Sequence, residues 1–229
     1  MEFKQRLEHI KQRIRKAAES CGRDPDTIRL VAVSKTFPAE TVKEAIEAGA
    51  TILGENYVQE AREKFDALIH YAVSWHFIGH LQSNKAKYAV RLFDLIHSVD
   101  SLKLAQALNQ EAKKADKIQP ILVQVNISGE DTKSGIAAAQ TPDLISEISQ
   151  LENLSIKGLM TMPPYFYQPE KVRPYFAALR RLRDRLKQQL IPNVSMEELS
   201  MGMTGDFEVA VEEGATLVRI GTAIFGERR

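Results

Sequence analysis

The feature that most constrains this 229-residue chain is a regular alternation of short apolar segments with amphipathic helical patterns, from one end to the other. Short apolar segments rich in β-branched residues predict buried strands, and apolar residues three or four positions apart predict helices. Eight strands are predicted, over 30–35, 51–55, 74–79, 94–98, 120–126, 154–160, 196–201 and 216–220. Helices are predicted over 38–48, 57–70, 84–91, 101–116, 142–151, 170–190 and 206–213, after an opening helix that contains Phe3, Leu7, Ile10 and Ile14.

This alternation implies parallel strands that are joined by crossover helices. Eight such units predict a single (β/α)8 barrel of the TIM type, with an extra N-terminal helix and one domain over residues 1–229. A doubly wound open sheet fits the same pattern. If the sheet closes into a barrel, ligand-binding residues are expected in the loops that follow the carboxyl ends of the strands.

Composition narrows the range of functions. A formal net charge of +1 gives no long-range field that would attract nucleic acid or an anionic membrane surface. The single cysteine, Cys21, cannot form an internal disulfide, and the N-terminus lacks the apolar core of a signal peptide. No segment has the apolar length of a membrane span. We therefore expect a soluble cytoplasmic protein that binds neither nucleic acid nor membrane. Nothing in the sequence demands a dimer, so we expect a monomer.

Lys35 stands at the end of the first predicted strand, directly after Leu30-Val31-Ala32-Val33-Ser34. An amine at the mouth of a core is partly desolvated, which favours its neutral form. A neutral lysine amine is the nucleophile that condenses with a carbonyl group to form a Schiff base. The alternative is a solvated lysine at a strand end, because lysine is seldom fully buried.

The loops after the last two predicted strands suggest a phosphate site. In barrels of this type, phosphate groups often bind there, beside the N-terminus of a short extra helix. Ser200 and Thr222 offer hydroxyl groups, and Gly221 permits a close approach of the backbone to a ligand. A short helix is expected to begin near residue 222. The alternative is a pair of glycine-containing turns with capping hydroxyls.

Other polar residues follow the predicted strands. Arg219 ends the eighth strand much as Lys35 ends the first, and two neighbouring cations would repel each other unless a polar or anionic ligand lay between them. Asn56 follows the second strand, where it either faces the same mouth or caps the next helix. His76 and His80 share a face of the third strand, but no third ligand accompanies them, so no metal site is predicted.

Several short segments, in order along the chain, resemble the pyridoxal phosphate homeostasis proteins. These proteins share the fold type III barrel of the N-terminal domain of bacterial alanine racemase. The matching segments are Leu30–Lys35, Gly54–Asn56, Trp75–Gly79, Leu81–Lys85, His97–Asp100, Val123–Asn126, Gly158–Met162, Leu199–Met203 and Val218–Gly221. Two departures are visible: Thr204 stands where the family more often has serine, and Pro163-Pro164 stands where one small residue is more usual.

The resemblance implies a role for each candidate residue. Lys35 would hold pyridoxal 5′-phosphate as a Schiff base, and Arg219 would face the pyridine nitrogen. The residues implied to hold the phosphate are Ser200, Gly221 and Thr222. Asn56 matches a family position beside the cofactor.

The resemblance also implies a binding protein that stores, buffers or delivers the cofactor, with apo-enzymes as possible recipients. Arg219 stays protonated and so disfavours protonation of the pyridine nitrogen, which makes the ring a poorer electron sink. The chain stops at Arg229, and we expect it to lack the β-domain that completes the active site of related racemases and decarboxylases. We therefore expect no strong catalytic activity. The alternatives are a pyridoxal phosphate-dependent amino-acid racemase or lyase, and a cofactor-free Schiff-base aldolase.

Overall fold

The computed structural model describes residues 2–130 and 133–227. The strands in this part of the chain are β1 (Arg29–Val33), β2 (Ile52–Glu55), β3 (Ser74–Phe77), β4 (Leu95–Val99), β5 (Gln119–Asn126), β6 (Ile136–Ala137), β7 (Leu154–Met160), β8 (Val194–Ser200) and β9 (Leu217–Ile220). The α-helices are α1 (Phe3–Ser20), α2 (Ala39–Glu47), α3 (Val58–Leu68), α4 (Ala86–Leu92), α5 (Leu102–Lys114), α6 (Thr141–Ile148), α7 (Arg173–Lys187), α8 (Phe207–Glu212) and α9 (Thr222–Phe225).

Parallel pairing closes eight of these strands into a ring, in the order β1, β2, β3, β4, β5, β7, β8 and β9. β9 returns to pair with β1, with Val31 opposite Arg219, and β4 pairs with β5 through Ile96 and Ile121. The predicted barrel is therefore confirmed, and the open doubly wound sheet is wrong. The two-residue strand β6 pairs with β5 outside the ring and was not predicted.

The apolar core lies in two layers. Most buried apolar side chains lie between the outer face of the barrel and the helices, as the apolar face of α7 shows with Phe176, Leu179 and Leu182. A smaller cluster forms a separate core and consists of Val31, Ile52, Leu95, Leu122, Met160 and Leu217. Bulky apolar residues normally fill a barrel of this size, so buried polar residues on its strands need a separate explanation.

The extra N-terminal helix completes the outer layer of helices. The last strand, β9, is followed by α9, which has only four residues. α1 packs against α8, α9 and α2, and so takes the place where an eighth long helix would lie. Its buried residues include Leu7, Ile10 and Ile14, in agreement with the predicted apolar spacing.

Several element boundaries shift by one or a few residues from the prediction, and two of these shifts change the interpretation. β1 ends at Val33, so Lys35 lies in a turn beyond the strand, next to Thr36 with its φ of 69°. The helix predicted over 170–190 is interrupted: a 3₁₀ turn precedes α7, and Leu190 is 88% exposed with a φ of 48°. That positive φ is incompatible with continuation of a right-handed helix. Within the described residues, no helix combines the length and the apolarity needed to cross a bilayer.

Candidate functional site

A cavity of about 270 Å³ opens at the carboxyl ends of the barrel strands. Its lining includes five of the six predicted site residues: Lys35, Asn56, Arg219, Gly221 and Thr222. Ser200, the sixth, is not part of the lining. The volume is close to the lower limit of about 300 Å³ that is typical of small-molecule sites. The structure therefore brings most of the predicted residues together, although they are far apart in the sequence.

The turn that carries Lys35 is held by a buried ion pair beneath it. The Lys64 Nζ donates to Glu55 Oε1 and to the Ser34 carbonyl oxygen, at 2.7 Å in each case. The Ser34 hydroxyl also donates to Glu55 Oε1, at 2.7 Å. Glu55 is fully buried and Lys64 is 5% exposed. These contacts fix the residue that precedes Lys35, and Lys35 itself is half-buried at the cavity wall.

Two opposing effects act on the pKa of Glu55 in this pair. Burial raises the pKa of Glu55, and the adjacent Lys64 ammonium opposes that rise. The pair was not predicted from the sequence, although a signal was present. Lys64 lies on the same face of α3 as Ala61 and Leu68, and a lysine on the buried face of an amphipathic helix requires a buried partner.

Asn56 lines the cavity, and Gly79 allows the backbone segments after β2 and β3 to approach each other closely at this point. A Cβ on Gly79 would lie 2.3 Å from the Asn56 carbonyl oxygen, so no larger residue fits there without displacing Asn56. The N-cap of α3 is Tyr57, and the alternative role of Asn56 as that cap is therefore wrong. Among the described residues, the buried Asn56 Oδ1 has no hydrogen-bond partner. An unsatisfied acceptor therefore belongs to a residue that lines the cavity.

Arg219 is buried on β9, with 4% of its surface exposed. Its Nη1 donates to Ser200 Oγ at 2.6 Å, and its Nη2 donates to the Thr161 carbonyl oxygen at 2.9 Å. Burial lowers the pKa of Arg219 to about 10, and the nearby carboxylate of Asp206 opposes this shift. The guanidinium therefore remains charged at neutral pH, and its two hydrogen-bond acceptors are neutral.

Ser200 belongs to a buried polar chain rather than to the cavity wall. Its Oγ lies 2.8 Å from His97 Nδ1, and His97 Nε2 lies 3.0 Å from His76 Nδ1. Burial lowers the pKa of His76 to about 4 and holds that of His97 well below its usual range. His80 is exposed, so the partner of His76 is His97 on the neighbouring strand. Among the described residues, no group of three or more potential metal ligands converges.

Two loops, which follow β8 and β9, form the part of the cavity next to the carboxyl ends of these strands. After β8, the Met203 N–H donates to Asp206 Oδ1 at 2.6 Å, which closes a turn that contains Thr204 and Gly205. After β9, helix α9 begins at Thr222, as predicted, with Gly221 at its N-cap. The first N–H groups of a helix have no partner within the helix. Thr204 was noted in the sequence only as a departure from the family, yet it lines this part of the cavity.

Aromatic and apolar residues form the outer rim. Met162, Tyr165 and Phe166, from the loop after β7, line the cavity. Tyr165 is 69% exposed and its ring contacts that of Tyr167 edge-to-face, at 5.5 Å between centroids. Phe37 also lines the cavity and stacks on Phe225, at 5.0 Å between ring centroids. The cavity thus has a polar base and an apolar entrance.

Comparison with known proteins gives consistent matches over the full chain. The model of the alanine racemase N-terminal domain family matches residues 5–229. A protein of Aquifex aeolicus, named pyridoxal phosphate homeostasis protein, is 46% identical over 225 residues, which cover 98% of each chain. An Escherichia coli K12 protein of the same name is 42% identical over 229 residues, which cover 97% of this chain and 95% of the relative.

Solved structures agree with these sequence matches. PipY of Synechococcus elongatus, whose structure was solved with pyridoxal phosphate bound, superposes with a TM-score of 0.85 at 36% identity. That match covers 98% of this chain and 100% of PipY. An alanine racemase of Clostridium difficile superposes with a TM-score of 0.75 at 16% identity, over 99% of this chain and 57% of the racemase. The racemase likeness shows a shared fold.

Proposed function

Because this chain belongs to the pyridoxal phosphate homeostasis protein family, we propose that it binds pyridoxal 5′-phosphate in the cavity and acts in cellular homeostasis of that cofactor. Homeostasis here means storage, buffering or delivery. The observation that carries the proposal is the convergence of two side chains on one cavity of about 270 Å³: Lys35, in the turn after β1, and the buried Arg219, on the neighbouring strand β9. The buried Asn56 Oδ1, which lacks a partner among the described residues, supports it independently.

The residues present fit the chemical groups of the cofactor. When bound, pyridoxal phosphate supplies an aldehyde that condenses with a primary amine, with the loss of one water molecule, and Lys35 offers that amine. Arg219 can donate to a ring nitrogen, and Asn56 can hydrogen-bond to a ring substituent. The backbone and hydroxyl groups of Gly221 and Thr222 can bind the phosphate oxygens.

The assignment of Ser200 is revised. Its hydroxyl already contacts Arg219 and His97, is fully buried and does not line the cavity, so it is poorly placed to bind phosphate. We assign the hydroxyl contact to Thr204 instead, in the turn that Asp206 closes. Ser200 then serves as a support for Arg219.

We propose binding rather than turnover as the main activity. A guanidinium stays protonated and does not give up its proton to the ring nitrogen, so the ring remains a weak electron sink. The named relatives are homeostasis proteins, and the racemase likeness is distant. We further propose that the protein acts in the cytoplasm as a monomer, and that enzymes lacking their cofactor receive it.

The absorbance spectrum of the purified protein after addition of pyridoxal phosphate tests this proposal. The unmodified chain should gain a visible band that shifts when a small amine is added, and Lys35→Ala should not. Lys43→Ala is the matched control, because Lys43 is about half exposed on α2 and lies outside the cavity lining. A wild-type protein that never binds the cofactor would refute the proposal, and lysine-dependent cleavage of a carbonyl substrate without cofactor would favour the aldolase. Rapid racemisation of amino acids would favour the racemase.

A further inference from the structure

Four buried polar residues from four strands form a continuous hydrogen-bonded chain. His76 on β3 contacts His97 on β4, which contacts Ser200 on β8, and Ser200 accepts from Arg219 on β9. All four are less than 5% exposed. Buried polar groups are costly unless they are hydrogen-bonded, and apolar residues normally fill such positions. A chain of this length therefore calls for a role beyond packing.

Hydrogen-bond chemistry fixes the direction of this chain. Arginine can only donate, so Ser200 Oγ accepts from Arg219. Among the described residues, His97 Nδ1 is the one other hydrogen-bond partner of Ser200 Oγ, so we assign the serine proton to that contact. His97 must then carry its proton on Nε2, which donates to His76 Nδ1. His76 in turn carries its proton on Nε2. One permanently charged residue at the cavity thus determines the tautomers of two neutral histidines.

The position of the Arg219 guanidinium depends on this chain of hydrogen bonds. Among the described residues, no carboxylate lies within ion-pair distance of its guanidinium, and its acceptors are Ser200 Oγ and the Thr161 carbonyl oxygen. Ser200 accepts more strongly from Arg219 while it donates its own proton to His97, because successive hydrogen bonds polarise one another. A protonated His97 would instead donate to Ser200 and place a second cation beside Arg219.

We infer that His97 is a positioning residue for the cofactor site, which acts through Ser200 to hold the Arg219 guanidinium in place at the base of the cavity. This inference deepens the proposed function and rests on it. With the chain intact, Arg219 presents a fixed donor to the ring nitrogen of the cofactor. Without the His97 acceptor, Ser200 can turn its hydroxyl elsewhere and Arg219 loses its fixed orientation.

The test compares variants that remove or mimic the acceptor. His97→Phe retains an aromatic ring but removes Nδ1, whereas His97→Asn places an amide oxygen near the position of Nδ1. His97→Phe should raise the dissociation constant for pyridoxal phosphate roughly 10- to 100-fold and shift the absorbance maximum of the bound cofactor, as expected for loss of one charge-assisted hydrogen bond. His97→Asn should recover part of both. His80 is an exposed histidine that takes no part in the hydrogen-bonded chain, so His80→Ala is the matched control and should behave as wild type.

Two further measurements keep the inference falsifiable if His97→Phe does not fold. Ser200→Ala should reproduce the same spectral shift, and the Ser200→Ala/His97→Asn double variant should be no weaker in binding than Ser200→Ala alone, because both residues act through one link. Nitrogen-15 NMR of the cofactor-free protein should show His97 as the neutral Nε2–H tautomer.

The outcomes separate the two proposals. If wild type and His80→Ala bind no cofactor, the proposed function fails, and the inference fails with it. If they bind and the His97 and Ser200 variants match them in affinity and absorbance maximum, the positioning role alone is overturned. Additive losses in the double variant, or a protonated or Nδ1–H His97, would also overturn it.

Discussion

Removal of the Lys64 amine tests how the turn that carries Lys35 is held. The Lys64 Nζ lies 2.7 Å from both Glu55 Oε1 and the Ser34 carbonyl oxygen, and both charged side chains are buried. Lys64→Met keeps most of the buried aliphatic stem and removes the charge. It leaves the Glu55 carboxylate buried without its cation, and removing one partner of a buried pair costs about 3–5 kcal/mol.

Urea unfolding at neutral pH, followed by circular dichroism, measures this loss. We expect the free energy of unfolding to fall by about 4 kcal/mol, the middle of that range. Lys43→Met is the matched control, because Lys43 faces Glu47 at 3.8 Å with both side chains about half exposed. Such surface pairs contribute about 0–1 kcal/mol. A loss for Lys64→Met no larger than that for Lys43→Met would show that the buried Glu55–Lys64 pair does not stabilise the fold.

The pH dependence identifies Glu55 as the source of the loss. Burial raises the pKa of Glu55 above its ordinary value of 4.5, and removal of Lys64 should raise it further. The folded variant then keeps a proton that the unfolded chain has released, so its stability falls as pH rises above that ordinary value. The deficit relative to wild type should be smaller at about pH 5 than at about pH 8. Lys64→Met/Glu55→Gln should recover part of the loss and flatten this dependence, and a pH-independent deficit would exclude Glu55 as its cause.

Three other substitutions test the placement of Asn56, the packing of α1 and the protonation of a buried histidine. Gly79→Ala should displace Asn56 and weaken cofactor binding in an equilibrium titration, because the new Cβ would lie 2.3 Å from a backbone oxygen, and unchanged affinity would contradict that placement. Leu7→Ala should lower the free energy of unfolding by about 2–5 kcal/mol in urea, since Leu7 lies on the buried face of α1, and a loss under about 1 kcal/mol would mean that α1 is not part of the core. The free energy of unfolding of the wild type should fall as pH drops from 6.5 to about 4, because His76 binds a proton near pH 6.5 in the unfolded chain and only near pH 4 in the folded protein. His76→Gln should show a shallower fall in urea titrations. Identical slopes for the two proteins would rule out His76 as a contributor.

The sequence predicts the barrel well because its signal is local. Each strand is an apolar segment and each helix has an apolar face, and eight such units close in only a few ways. The role of α1 was not predictable, since it depends on the shortness of α9 at the other end of the chain. The end of the helix predicted over 170–190 was wrong because Leu190 continues the apolar spacing while its backbone leaves the helix.

The sequence predicts which loops come together to form the candidate site. It predicts the orientation of individual side chains less well. Lys35, Asn56 and Arg219 follow or end strands, so barrel geometry alone brings them to one mouth. Ser200 also ends a strand, but its side chain points to the buried polar chain, and that orientation depends on the twist and register of β8. The pairing of His76 with His97 was missed for the same reason, because register between neighbouring strands is not encoded in either strand alone.

Reduction with borohydride in the presence of pyridoxal phosphate, followed by peptide mapping, shows whether Lys35 bonds covalently to the cofactor. Reduction converts a carbon–nitrogen double bond between the cofactor and a lysine into a stable single bond, so the modified residue is identified by mass. We expect stoichiometric modification of Lys35 in the native protein, at the turn above the Glu55–Lys64 pair. An unmodified Lys35, or modification spread evenly over the exposed lysines, would contradict this expectation.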